Sequence, residues 1–265
     1  MTDTPATVRT IARAFVGARR ARAALKHYPG PAPATLEDAY LIQNDALGLV
    51  GEPPVGWKVG RILGDDVLRF GDDYLSGPVF AGEVQQAVAG PNYFSCIDDG
   101  FCAVEGELIF RIAQDAPAAA VDWTLDEAAA LVGACHVGVE IAGSPFAEIN
   151  DHGPAVTASD FGNNAGLIIG PVLANGQPGG RFALAVQTRI DEVTVGQGDV
   201  SQSPGGPVAA LAWLAAHLAR RGLPLRRGQW VTTGAITGVH RIYSGQTAQV
   251  DFAGVGEIVC VARPS

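Results

Sequence analysis

Apolar and polar residues alternate most cleanly in FALAVQTRI, where Phe182, Leu184, Val186, Thr188 and Ile190 recur at every second position. That period predicts a strand, and the EVTVG that follows predicts its hairpin partner, turning near Asp191. Residues 101–112 (FCAVEGELIFRI) and 135–143 (CHVGVEIAG) are further strands, as are GWKVGRI from residue 56, GLIIG at 166–170, and WVTTG, QTAQVDF and GEIVCVA towards the C-terminus. Helical spacing is confined to fewer segments. Val8, Ile11, Phe15 and Val16 predict a helix within residues 7–25, and TLED at 35–38 opens a second that Gly51, Pro53 and Pro54 stop. TLDE at 124–127 is a full capping box before EAAALVGA. Residues 207–221 predict the best-bounded helix, from Pro207 at its first turn to Gly222 and Pro224 beyond its end. Residues 61–80 read as loop, and residues 144–164 as a long irregular segment of the kind that often carries function.

Strands dominate after residue 52 and do not alternate regularly with helices. The expected fold is therefore α+β, with a mixed, mainly antiparallel sheet. The expected organisation is a helical N-terminal region over 1–52 and a catalytic domain over 53–265.

Composition narrows the function classes. The 265 residues are 48% hydrophobic and 17% charged, as in a globular protein, with 34 glycines and 17 prolines suiting a turn-rich fold. A net charge of −9 and a pI near 4.9 exclude nucleic acid as an expected partner. The basic cluster of Arg19, Arg20 and Arg22 reads as the solvated face of a helix. No apolar run reaches the roughly 18–20 residues of a membrane span, and residues 1–10 do not resemble a signal peptide, so a cytoplasmic protein is expected. Cys96, Cys102, Cys135 and Cys260 lack CxxC spacing and are expected as buried free thiols.

The chemistry centres on three glutamates in apolar surroundings. Glu105 and Glu107, two apart on a strand, point the same way, and Glu140 lies in a second apolar strand. Burying neighbouring carboxylates is costly unless a cation joins them. An all-carboxylate set suits a hard ion, Mg²⁺ or Mn²⁺. The pattern also fits a solvated edge strand, and spacing leaves both readings open. Lys58, between Trp57 and Val59, fits either a snorkelling surface lysine or a group that neutralises such a site and moves protons. Among His136, His152 and His240, His152 in NDHGP is the strongest candidate for a base.

In their order, GWKVG (56–60), SGPVF (76–80), VEGELIF (104–110), VGVEIAGSPF (137–146), SDFGNNAGLIIG (159–170) and PVAALAWLAAHLARRGLPLRRGQWVTTGAIT (207–237) resemble the 2-keto-4-pentenoate hydratase / 4-oxalocrotonate decarboxylase group of the fumarylacetoacetate hydrolase superfamily. The resemblance implies a rolled mixed sheet, Glu105, Glu107 and Glu140 as divalent-metal ligands, Lys58 in the active site, and a homo-oligomer. It implies hydration of a 2-hydroxy-2,4-dienoate to a 4-hydroxy-2-oxo acid. Its alternatives are decarboxylation of a 2-oxo-3-enedioate, with Arg61, Arg69 or Arg241 meeting the second carboxylate, or acylpyruvate C–C hydrolysis with His152 as base. A non-catalytic partner subunit that binds 2-oxo acids is the alternative outside enzymology. Where the group carries an active-site Asp, this chain reads GDDYLSGPVF, which makes Asp73 the second catalytic candidate. Where the group often has DNAS, it reads FGNNAG, which makes Asn163 and Asn164 substrate-side candidates together with Thr233 of TTGAIT.

Overall fold

A computed structural model describes residues 5–173, 182–202 and 205–265. The chain runs through α1 (Pro5–Ala21), α2 (Leu36–Val50), β1 (Gly56–Arg61), α3 (Asp65–Phe70), β2 (Tyr74–Val79), β3 (Val84–Gln86), β4 (Pro91–Cys96), β5 (Phe101–Ile112), α4 (Leu125–Ala129) and β6 (Val132–Ser144). It continues through α5 (Pro154–Ser159), β7 (Asn164–Val172), β8 (Ala185–Ile190), β9 (Val193–Asp199), α6 (Pro207–Arg220), β10 (Trp230–Thr232), β11 (His240–Arg241), β12 (Thr247–Phe252) and β13 (Gly256–Pro264). Among the described residues the strands form two sheets. One has eight strands in the order β2-β1-β10-β5-β6-β7-β3, with β11 also on β5, and the other has the order β4-β13-β12-β8-β9. Most pairings are antiparallel, while β1–β10, β3–β7 and β4–β13 are parallel. This is the expected mixed α+β architecture.

Local chemistry accounts for the element ends. Thr35 caps α2 by accepting from the Asp38 N–H at 3.1 Å, and Gly51 closes it in the left-handed conformation. Thr124 and Glu127 form the reciprocal capping box of α4. That helix ends at Ala129, short of the predicted EAAALVGA, because Val132 is already paired with Ile112 on β5. The predicted hairpin is β8–β9, with Asp191 and Glu192 at positive φ in its turn.

Strand β5 organises the core. Its Val104, Leu108 and Phe110 face the large hydrophobic cluster shared with the second sheet through Val186, Val250 and Phe252. Between them Gly106 keeps the second sheet close, since a Cβ there would lie 2.8 Å from Val250. The opposite face carries Phe101 and Ala103, which pack with α1 and α2 through Ile11, Phe15 and Ile42. Farther along that face, Ile109 packs with Val79, Leu167 and Ile169. Glu105 and Glu107 lie on the same face, between these two apolar clusters.

Four expectations are corrected. Residues 61–80 are not loop: they hold α3 and the buried strand β2, whose Ser-Gly-Pro centre masks a strand covered on both faces. Arg19 is not solvated. It binds Asp160 with Nε–Oδ1 2.7 Å and Nη2–Oδ2 3.0 Å, and donates to the carbonyls of Asn164 and Gly143. The segment 144–164 contains α5 and a 3₁₀ turn at Phe161–Asn163. Cys96 and Cys102 form a disulfide, because the turn between β4 and β5 brings their Cα atoms within 5.7 Å; Cys135 and Cys260 are buried free thiols as expected.

Candidate functional site

Antiparallel pairing of β5 with β6 sets Glu105 directly opposite Glu140, and Glu107 opposite Gly138. Each of the three glutamates offers a carboxylate oxygen within 4.8 Å of the others, and all three are buried. The solvated-edge reading therefore fails: β5 is flanked by β6 on one side and by β10 and β11 on the other.

Lys58 of β1 is brought to the same point. Only 3% of it is exposed, and its Nζ lies 3.3 Å from Glu140 Oε1 and 3.2 Å from Asn163 Oδ1. Gly60, two residues on and on the same face, leaves room for the ammonium; a Cβ there would stand 3.3 Å from Nζ. Asn163 reaches Lys58 from a tight turn in which Phe161, Gly162 and Asn163 all have positive φ. Such backbone strain recurs at functional sites. A side chain on Gly162 would press on Lys58 Cδ and on the backbone of Gly77.

The carboxylates are individually held. Glu107 Oε2 accepts from the backbone N–H groups of Thr233 (2.9 Å) and Gly234 (2.8 Å). Glu140 accepts from Asn164 Nδ2 at 3.1 Å and from Thr232 Oγ1 at 3.2 Å. Glu107 Oε1 is buried with no hydrogen-bond partner among the described residues, which is costly unless a cation fills that role.

Three carboxylates against one ammonium leave two negative charges without local partners. Burial lifts the Glu105 carboxyl to about 8, with Lys58 opposing and Glu140 adding to the rise. Burial, then repulsion from Glu140 and Glu105, pushes Glu107 well above the usual carboxylate range. For Lys58 burial disfavours the charge, but Glu140, Glu105 and Glu107 outweigh it and raise its pKa. A divalent cation matches the deficit, and an all-oxygen donor set suits Mg²⁺ or Mn²⁺.

Beside these groups opens a cavity of about 520 Å³ lined by Lys58, Arg61, Asp66, Glu105, Asn150 and Asn163, with apolar Leu63, Leu75 and Val239. Of the predicted residues, Asp73 is not brought here. It lies exposed at the far end of β2, its N–H donating to Asp72 Oδ1, while Gly77, four residues on, is the partner of Lys58. Asp66 is the aspartate that lines the cavity. Asn163 contacts Lys58, whereas Asn164 supports Glu140. Thr233 turns its hydroxyl to the Leu108 carbonyl and its N–H to Glu107, so it orients a carboxylate rather than facing the cavity. His152 sits partly exposed with Nε2 3.3 Å from Glu148 and does not line the cavity. Arg69 pairs with Asp66, and Arg241 donates to the Gly100 and Ala147 carbonyls; only Arg61 of the three arginines lines the cavity. Sequence reasoning missed Thr232 and Asn150. Asn150 lay within the irregular segment already singled out, which was its one visible signal.

Comparison with known proteins places this geometry. The family model described as fumarylacetoacetate (FAA) hydrolase C-terminal matches residues 84–262. The fold matches 4-oxalocrotonate decarboxylase from Pseudomonas putida G7 complexed with magnesium and adipate, at TM-score 0.80 and 20% identity, over 98% of this chain and 99% of that one. The same enzyme complexed with calcium and acetate gives TM-score 0.78 at 19% identity, again over 98% and 99%. Fumarylpyruvate hydrolase from Pseudomonas aeruginosa, in complex with Mn²⁺ and pyruvate, matches at TM-score 0.57 and 18% identity, over 79% of this chain and 89% of that one. Lys58 lies outside the span of the family model but inside the nearly full-length likeness.

Proposed function

The chain belongs to the fumarylacetoacetate (FAA) hydrolase C-terminal family, and from that premise we propose that it is a divalent-metal-dependent lyase acting on a 2-oxo acid or its 2-hydroxy-dienoate tautomer. The observation that carries this reading is the convergence of three buried carboxylates and one buried lysine, with Lys58 and Glu105 on the wall of a cavity.

Glu105, Glu107 and Glu140 would hold Mg²⁺ or Mn²⁺, and the bound ion would supply Lewis acidity to a chelating 2-oxo acid, favouring its enolate. The chain's own groups do the rest. Thr233, Gly234, Asn164 and Thr232 keep the carboxylates aimed at one point. Lys58 is the buried acid: its Nζ, held by Asn163 Oδ1 and Glu140 Oε1, can give a proton to the substrate carbon skeleton and take it back. Buried Leu75, with Leu63 and Val239 at the exposed mouth, gives the cavity an apolar surface for the substrate's carbon skeleton.

Two lyase reactions use such a site. The first is addition of water to a 2-hydroxy-2,4-dienoate, giving a 4-hydroxy-2-oxo acid. The second is decarboxylation of a 2-oxo-3-enedioate. Arg61 favours the second, since this exposed cation lines the cavity and its guanidinium makes no hydrogen bond or ion pair among the described residues. The P. putida decarboxylase was captured with adipate, a dicarboxylate. Turnover of 2-hydroxypenta-2,4-dienoate, followed by loss of ultraviolet absorbance, and CO₂ release from 4-oxalocrotonate separate the two. Either activity should vanish with EDTA and return with Mg²⁺ or Mn²⁺. Activity that survives EDTA would reject the metal reading, and no turnover of either compound would reject both reactions.

A further inference from the structure

Lys58 dictates the polarity of a hydrogen-bond chain that ends in the cavity. Its Nζ lies among three carboxylates and donates to the Asn163 amide. The Asn163 atom at 3.2 Å from it is therefore the acceptor Oδ1. The other end of the Asn163 amide must then be Nδ2, which donates to Asn150 at 2.9 Å, so Asn150 presents its Oδ1 in turn. Thr157 Oγ1 also lies 3.3 Å from that oxygen. Both known contacts of the Asn150 amide fall on its oxygen. Its Nδ2 has no hydrogen bond among the described residues, although Asn150 lines the cavity with Lys58 and Arg61.

We propose that Asn150 is a specificity-determining residue whose Nδ2 donates to a carboxylate at the far end of the substrate. The inference rests on the metal and 2-oxo-acid reading above and deepens it. Asn150 stands two hydrogen bonds away from Lys58, through Asn163, and so beyond the end that a 2-oxo acid would present to the carboxylate cluster. A group that meets it must extend several atoms down the cavity. Arg61, a cation on the same cavity without an ion pair among the described residues, makes an anionic oxygen the acceptor that fits. Asp66, the acidic side chain that lines the cavity besides Glu105 of the carboxylate cluster, disfavours an anion nearby and is 3.8 Å from Arg69. The substrate class this selects is a 2-oxo dioic acid.

Asn150→Asp separates this role from a structural one. Aspartate still accepts from Asn163 and Thr157, so the chain stays intact, but it offers no donor and repels a carboxylate. The Mn²⁺-loaded protein and the variant would be titrated calorimetrically with oxalate, which fills only the chelating end, and with 2-oxoadipate, which carries a far carboxylate. The expected result is oxalate affinity within about twofold of the wild type and 2-oxoadipate affinity weakened about tenfold or more, with the melting temperature unchanged. Equal 2-oxoadipate affinity in both proteins, or parallel loss of both ligands in the variant, would overturn the proposal. Wild-type protein that binds oxalate but not 2-oxoadipate would overturn it as well. Wild-type Mn²⁺ protein that binds neither would instead overturn the metal and 2-oxo-acid reading on which it rests.

Discussion

Glu105 and Glu140 are direct partners across the β5–β6 ladder, so two carboxylates from separate strands rise side by side on one buried face. Glu107 joins them two residues along β5, and Lys58 alone offsets their charge from β1. This arrangement costs several kcal/mol per uncompensated ion when it stands without a cation. Its stability and its metal affinity are accordingly two sides of one electrostatic balance.

Glu107→Gln tests that balance. Burial and repulsion from Glu140 and Glu105 shift the Glu107 carboxyl upward and so favour its protonated form in the metal-free protein, and glutamine copies that form. The metal-free melting temperature should be unchanged, while Mn²⁺ affinity falls by more than about 100-fold, beyond the loss typical of outer-shell changes. Calorimetry with and without Mn²⁺ checks both.

The Glu105 carboxyl, lifted from its ordinary 4.5 to about 8, sets a pH dependence of definite sign. Between these values the folded metal-free protein binds more protons than the unfolded chain. Its stability therefore falls as pH rises from about 4.5 to 8. Metal must displace this proton, and any that Glu107 holds, so apparent Mn²⁺ affinity should climb with pH by up to about tenfold per pH unit for each proton displaced, with the share from Glu105 ending near pH 8. Metal titrations from pH 6 to 9 should show the break, and saturating Mn²⁺ should remove the decline in stability.

Lys58→Met should separate catalysis from metal binding. Loss of the acid should lower kcat by about 10²–10⁴-fold. Mn²⁺ affinity should hold or tighten, because an ammonium 3.3 Å from Glu140 no longer opposes a dication. A parallel loss of metal and activity, seen by calorimetry and turnover, would assign Lys58 to holding the carboxylates instead.

His217 gives the opposite pH signature. Burial, with Arg221 and Arg220 adding, lowers its pKa from 6.5 to about 3. It lies stacked on Trp213, with ring centroids 4.7 Å apart. Below pH 6.5 the unfolded chain takes up a proton that the folded one refuses, so stability falls by up to about 1.4 kcal/mol per pH unit down to pH 3. His217→Gln should lower stability at pH 7 through lost stacking, yet show less dependence on pH between 4 and 6.5 in urea denaturation.

Arg19→Met should destabilise the protein by about 3–5 kcal/mol, because Asp160 is fully buried and keeps only the Ser144 hydroxyl among its side-chain partners. Urea denaturation of the metal-free protein reads this loss without reference to the site. A change below about 1 kcal/mol would mean that Asp160 is neutralised in another way.

Much of this protein was legible in the sequence by itself. Period-two alternation determined β8 and its hairpin with β9, apolar stretches marked β5 and β6, and the capping residues determined where α2, α4 and α6 begin. The i, i+2 spacing placed Glu105 and Glu107 on one face because that spacing is a property of any strand. The ordered motifs carried Lys58 and Glu140 to the same site. Local pattern was silent wherever a residue's partner lies far along the chain. Whether Glu105 and Glu107 were solvated or buried depended on β10, β11 and β6 flanking β5. Strand β2 was hidden because burial on both faces erases alternation. Arg19 looked like surface charge until Asp160, 141 residues away, came to meet it. The Cys96–Cys102 pair, the exclusion of Asp73 and the arrival of Asn150 were likewise decided by tertiary structure. Spacing fixes which way a side chain faces, but only packing decides what stands opposite it.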